Sequence, residues 1–130
     1  PPYANGNIHV GHSLNKIIKD IIVRHKTLQQ FYSPYIAGWD THGLPIEHAL
    51  LKKGVNKDPS LSVAQKRKNC RDFAIQNVHN QLTQFKRLGL LTDFQDIYLT
   101  LDKDFETRQL ELFRAIVSKK LAYQDLKPIY

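Results

Sequence analysis

The chain opens Pro1-Pro2-Tyr3-Ala4-Asn5-Gly6-Asn7-Ile8-His9-Val10-Gly11-His12, and the reading of this stretch decides the fold. Asn5-Gly6 is a turn-forming pair. His9 and His12 stand three residues apart around Gly11, and an amphipathic helix follows. Three residues is just under one helical turn, so in an opening helical turn both imidazoles project from one face. The first N–H groups of a helix have no internal partner, and its N-terminus carries partial positive charge. An anion, most often a phosphate, is the natural ligand there. Gly11 has no side chain and lets a flat or bulky ligand approach the backbone. These features point to a nucleotide-phosphate site. On these twelve residues alone, two other readings stay open: a pair of zinc ligands, or two histidines with no ligand. Zinc would need a third ligand from elsewhere, the His-Glu-x-x-His pattern is absent, and the chain has one cysteine.

Outward from the turn, Leu14, Ile17, Ile18, Ile21, Ile22 and Leu28 recur at spacings of three and four. This predicts an amphipathic helix over 14–28 with Lys16, Lys19, Asp20, Arg24 and Lys26 on its wet face. The aromatic stretch after it predicts a strand over 32–37, with Pro34 confined to its first residues or to an edge. A strand just before Pro1, this helix and that strand would form one β-α-β unit with parallel strands. The carboxyl ends of both strands would then open on one edge, where ligands of open α/β sheets bind. The histidine turn and Asp40 should therefore face one crevice. A carboxylate beside a phosphate site fits a second substrate with a cationic part, such as an amino acid meeting ATP; a turn-forming or capping aspartate is the plainer alternative.

Further along, Pro45 suits the first turn of a helix through Ile46, Ala49 and Leu50 that stops at Gly54. Ser62-Val63-Ala64-Gln65 has capping-box form. It should start a long helix with Cys70, Phe73, Ala74, Val78, Leu82, Phe85 and Leu88 inward and a stop at Gly89. Ile97–Leu101 reads as a short strand, and Asp102 as the cap of a last helix bearing Phe105, Leu110, Phe113, Ile116 and Val117. The end, Leu121–Tyr130, turns extended again, a strand barely begun.

The chain has 130 residues, 42% hydrophobic and 24% charged, the size and composition of one ordinary domain. No apolar run approaches the roughly 20 residues of a membrane span, so no membrane partner is expected. Cys70 stands alone and cannot form an intramolecular disulfide; a reducing, cytoplasmic home suits it. The net charge of +7 favours polyanionic partners. The cluster between Lys52 and Lys68 reads first as a solvated helix face. Both ends look cut, which suggests a piece of a larger protein.

At this point the residues resemble a known family. His9-Val10-Gly11-His12 with its Pro-Pro-Tyr-Ala-Asn-Gly lead-in resembles the first ATP-binding motif, the "HIGH" region, of class I aminoacyl-tRNA synthetases. Gly38-Trp39-Asp40-Thr41-His42-Gly43-Leu44-Pro45-Ile46-Glu47 is similar to the isoleucyl group in particular, as are Leu88-Gly89, Asp93-Phe94 and Tyr98-Leu99-Thr100. The resemblance covers essentially the whole chain. It implies an α/β fold: the first half of a Rossmann-type nucleotide-binding domain, an incomplete parallel sheet with flanking helices, over 1–130 up to the expected editing-domain insertion. It also implies ATP-dependent activation of isoleucine to isoleucyl-adenylate and its transfer to tRNA(Ile). ATP with Mg2+, isoleucine and tRNA(Ile) would be the ligands, the parent enzyme a monomer, and zinc is not implied for this part. By the same resemblance His9 and His12 would be catalytic, binding the ATP phosphates. Gly11 would lie under the adenine, Asn5 and Gly6 would shape the loop, Asp40 would pair with the isoleucine ammonium, and Pro1 would line the side-chain pocket. Trp39 would pack behind Asp40.

The family's second ATP loop, of Lys-Met-Ser-Lys-Ser type, is not in these residues, so the 130 residues alone are expected to be catalytically silent. Three alternatives remain: another class I synthetase (valyl or leucyl), a cytidylyltransferase-type nucleotidyltransferase sharing a His-x-Gly-His turn, and a non-catalytic RNA-binding module. The last lacks any RNA-binding motif, and its basic clusters are not interleaved with aromatic residues.

Overall fold

A computed structural model describes residues 1–128. In chain order it has α1 (Val10–Leu28), β1 (Ala37–Trp39), α2 (Leu44–Lys52), α3 (Val63–Arg87), β2 (Ile97–Leu99) and α4 (Lys103–Ser118). β1 and β2 pair in parallel, Ala37 opposite Ile97, Gly38 opposite Tyr98 and Trp39 opposite Leu99. On the other side of β1, Tyr3 forms a parallel bridge with Asp40. There Ala4 N–H donates to Asp40 O (3.0 Å) and Asp40 N–H to Pro2 O (2.9 Å). The opening segment, α1 and β1 therefore make a parallel unit, with Pro2–Ala4 pairing where the first strand was expected just before Pro1, and their carboxyl ends share one edge.

The strand sits later than the aromatic pattern predicts. Residues 31–36 are irregular, and pairing begins at Ala37. A strand needs a neighbour with free peptide groups. Only 37–40 runs between Pro2–Ala4 and Ile97–Leu99, and Pro34 has no N–H to offer a ladder.

Helix boundaries follow local chemistry. Ser62 and Gln65 form a reciprocal capping box at the start of α3. Gly54 and Gly89, just past α2 and α3, take φ of +80° and +71°, the left-handed conformation that glycine enters without strain. Asp102 does occupy the N-cap of α4, but its side chain accepts no capping bond. The core is one cluster in which Trp39 of β1, Ile46 and Leu50 of α2, and Phe73, Ala74, Val78 and Phe85 of α3 meet Ala4 and Leu101.

Two apolar helix faces are not buried. On α1, Leu14, Ile17, Ile18, Ile21 and Ile22 are 42–61% exposed, whereas Lys16, assigned to the wet face, is 6% exposed. α1 turns its other face inward, and polar ties join that face to the 89–91 turn. Asp20 Oδ1 accepts from Leu91 N–H (2.6 Å), and Arg24 donates to Gly89 O (2.6 Å) while pairing with Asp20. Burial alone would raise the Asp20 carboxyl, but the Leu91 N–H and Arg24 outweigh it and hold it below the usual range. On α4, none of its residues is buried, and Leu110, Phe113 and Val117 are exposed. Leu88 also lies at the surface, 36% exposed. Periodicity reports that a face is apolar, not which neighbour covers it. The extended end is irregular through Pro128 rather than a strand, and Ile129 and Tyr130 lie outside the described residues.

Gly38 has a steric reason of its own. A Cβ there would lie 2.1 Å from Cε1 and Cζ of Tyr98, the residue opposite it in β2. That ring is stacked on Phe105, centroids 6.2 Å apart, so it is held on its far side. Gly38→Ala is expected to lower the local opening free energy of this strand pair by about 1–3 kcal/mol, the usual cost of overpacking. Amide exchange at Thr100, whose N–H donates to Trp39 O, reads it; an unchanged rate would show that the Tyr98 ring yields freely.

Candidate active site

His9 is not inside the first helical turn, as its spacing suggests, but is the N-cap of α1, with extended φ −133° and ψ 175°. Its Nδ1 accepts from Gly11 N–H (3.1 Å), and His12 Nδ1 reaches back to accept from His9 N–H (3.3 Å). The two imidazoles thus form a reciprocal capping box, doing what Ser and Glu do elsewhere. Their ring centroids lie 3.9 Å apart. A neutral imidazole that accepts at Nδ1 carries its proton on Nε2, so these bonds fix both tautomers. Neither Nε2–H has a protein partner among the described residues, which leaves two N–H donors at a helix N-terminus for an anion. Gly11 leaves room for this arrangement: a Cβ there would meet His9 Cε1 at 3.0 Å and Nδ1 at 3.1 Å, so the ring would have to shift by a few tenths of an ångström.

His12 is hard to protonate in this setting. Burial, then the neighbouring His9 and Lys16, lower its pKa from the ordinary 6.5. Protonation would also take Nδ1 away from the His9 N–H. Because the unfolded chain takes up the proton first, the stability contributed by neutral His12 is complete above pH 6.5. It is lost as pH falls from there through the folded pKa. A histidine NMR titration is expected to place the His12 midpoint below 6.5; a midpoint above it would contradict the capping geometry.

Lys16, one turn behind His12, has its ammonium over the rings of Tyr35 (5.7 Å) and Phe85 (5.5 Å). Burial lowers its pKa. Phe85 in turn presents its ring to His12, edge on at 6.5 Å, and to Trp39 at 6.1 Å.

The loop before α1 is held from α3, which sequence reading missed. Gln81, 0% exposed, donates its Nε2 to Tyr3 O (2.9 Å) and Gly6 O (2.7 Å), and its Oε1 accepts from Trp39 Nε1 (3.0 Å). Gln84 Oε1 accepts from Ile8 N–H (2.8 Å), and its Nε2 donates to Asn7 Oδ1 (3.0 Å). Asn80 Nδ2 donates to the same Asn7 oxygen (2.7 Å). One signal was available: Gln81 falls on the apolar stripe Ala74–Val78–Phe85, and a polar group at a core position must have partners.

Asp40 lies at the carboxyl end of β1, beside the bridge to Tyr3, on the same edge as the histidine turn. Its Oδ1 accepts from His42 N–H (3.2 Å), a turn-forming bond. Its Oδ2 has no partner among the described residues. Trp39 is buried directly behind it. Pro1 is exposed, Pro2 and Ala4 are buried, and Asn5 is exposed with Gly6 half-buried on the loop. His42 pairs with Glu106, Nε2 to Oε1 3.1 Å.

Next to that edge, a cavity of about 660 Å³ opens between α2, the start of α3 and the start of α4. Ile46, Leu51, Val63 and Leu101 line it together with Lys66, Arg67, Lys68, Arg71 and Lys103. Burial, then Glu47, pushes the Cys70 thiol at this cavity up, which makes it a poor nucleophile.

Comparison with known proteins shows the family and the fold. The family model for class I tRNA synthetases (I, L, M and V) matches residues 1–130. The chain is 55% identical to the isoleucine–tRNA ligases of Malacoplasma penetrans and Staphylococcus haemolyticus, and 54% identical to that of Ureaplasma parvum. Each match covers 100% of this chain and 14% of the relative, so the chain spans about one seventh of their length. A crystal structure of Agrobacterium radiobacter LeuRS in a ternary complex with tRNA and LeuAMS superposes with a TM-score of 0.79. That match covers 95% of this chain and 14% of the other at 24% identity, and it shows a shared fold. The chain belongs to the class I tRNA synthetases of the isoleucine, leucine, methionine and valine group.

Proposed function

We propose that these residues form the ATP- and amino-acid-binding part of an isoleucine–tRNA ligase. The observation that carries the reading is the mutually capped His9–His12 pair, with two Nε2–H donors that have no partner among the described residues, at a helix N-terminus on the same sheet edge as Asp40. His9 and His12 donate to ATP phosphate oxygens and offset the charge that builds at the α-phosphorus. Asp40 Oδ2 takes the isoleucine ammonium, while Oδ1 stays with His42 N–H. Gly11 admits the adenine, Asn5 and Gly6 shape the loop, and Pro1, at the exposed start of it, lines the side-chain pocket. The isoleucine carboxylate then bonds the α-phosphorus as the bond to the β-phosphate oxygen breaks and pyrophosphate leaves. Such transfers depend on positioning and charge stabilisation rather than on covalent help from the protein. Mg2+ carried with ATP would offset the phosphates' charge.

The isoleucyl group passes in a second step to the terminal ribose of tRNA(Ile). The basic residues around the cavity beside Thr41 and His42 suit the approach of an RNA backbone to this edge. Isoleucine rather than valine or leucine is supported by 52–55% identity to isoleucine–tRNA ligases along the whole chain.

The test is amino-acid-dependent ATP–pyrophosphate exchange by the complete polypeptide that carries this chain. Exchange led by isoleucine over valine, leucine and methionine is expected. A lead by another of the four moves the assignment within the group. Exchange with none of them rejects it and sends the search to CTP and phospho-alcohol substrates.

A further inference from the structure

We propose that Gln81 and Gln84 on α3 are positioning residues for the nucleotide loop, and that Gln81 also ties that loop to the strand carrying Asp40. The proposal rests on the functional reading above.

The stretch between Ala4 and His9 belongs to no helix or strand, yet it must present His9 at a fixed angle. A misplacement of about 1 Å at such a site can cost about 10²-fold in rate. Something outside the loop has to hold its peptide groups. The side chains that do so come from α3, more than 70 positions away in sequence.

Gln84 holds the Asn7–Ile8 peptide, one unit before the Ile8–His9 peptide whose N–H His12 takes. Its Oε1 takes the Ile8 N–H, and its Nε2 fixes the Asn7 side chain, which Asn80 also grips. That plane and the His12 bond to the His9 N–H hold the chain on both sides of Ile8, and so fix where the His9 imidazole leaves the backbone. Gln84 makes no hydrogen bond to the Asp40 strand.

Gln81 does two things at once. One amide nitrogen satisfies two loop carbonyls, Tyr3 O and Gly6 O, while the amide oxygen takes the Trp39 indole N–H. Trp39 directly precedes Asp40, and Tyr3 is the residue bridged to it. This single buried amide therefore sets the spacing between the phosphate-binding turn and the carboxylate. An apolar replacement of similar size would leave the buried Trp39 indole N–H without this partner and release both loop carbonyls, so the amide is not serving as packing alone.

Sequence separation and chemistry make the two residues distinguishable. Loss of Gln84 should disturb only the nucleotide, and loss of Gln81 should disturb both substrates. We would measure pyrophosphate exchange by the complete polypeptide, varying ATP and isoleucine separately, for wild type, Gln84→Met and Gln81→Met. Gln84→Met is expected to raise the KM for ATP about tenfold, as for loss of a pair of net hydrogen bonds, and to leave that for isoleucine within about twofold. Gln81→Met is expected to raise both. Gln84 is only half-buried, so its variant remains informative if Gln81→Met does not fold. Both KM values rising equally in Gln84→Met, or neither moving, overturns the positioning role. Wild type without isoleucine-dependent exchange overturns the functional reading itself, a result the variants are not needed to detect.

Discussion

His9→Asn is expected to lower the turnover of isoleucine-dependent exchange by about 10²–10³-fold while the helix it caps stays formed. The two halves of this expectation come from the two nitrogens of one ring. Nδ1 accepts the Gly11 N–H and starts α1; Nε2–H is left for the phosphate. Asparagine is among the best N-cap residues and keeps the first role, but it cannot reach as the imidazole does. His9→Ala would remove both, adding a cap loss of about 1 kcal/mol. Comparing the two substitutions separates chemistry from helix initiation. If His9→Asn keeps full turnover, the imidazole is a capping group only.

Asp40→Asn is expected to raise the KM for isoleucine by about 10²-fold and to leave that for ATP within about twofold, the scale for removing one partner of a desolvated charge pair. Asparagine preserves the turn, since its side-chain oxygen can still accept from His42 N–H. What disappears is the charge on the second oxygen. An equal rise for ATP and isoleucine would mean that Asp40 holds the edge together rather than the ammonium.

Much of this was readable from local sequence because local chemistry causes it. Ser62 and Gln65 satisfy each other's backbone, Gly54 and Gly89 terminate helices through positive φ, and the α1 repeat at three and four makes a helix whatever surrounds it. The β-α-β pattern brought the histidine turn and Asp40 to one crevice, and the Tyr3–Asp40 bridge places their segments side by side.

What escaped was determined by partners far away in sequence. Lys16 looks like a solvent residue, but it points to Tyr35 and Phe85. The apolar stripe of α1 looks like its contact face, but its other face, through Asp20 and Arg24, binds the 89–91 turn. The strand begins at Ala37 rather than at residue 32 because its neighbours begin there. Gln81 reads as one polar residue among many on α3 until Tyr3, Gly6 and Trp39 surround it. Hydropathy registers none of these pairings.

The most direct test is a crystal structure of the complete polypeptide with a non-hydrolysable isoleucyl-adenylate analogue. The expected result has Nε2 of His9 or His12 within about 3.2 Å of an oxygen at the phosphate position. It also has an Asp40 carboxylate oxygen within hydrogen-bonding distance of the ammonium. An analogue seated elsewhere, such as the basic cavity beside His42, with the histidine pair and Asp40 both facing water, would contradict the account.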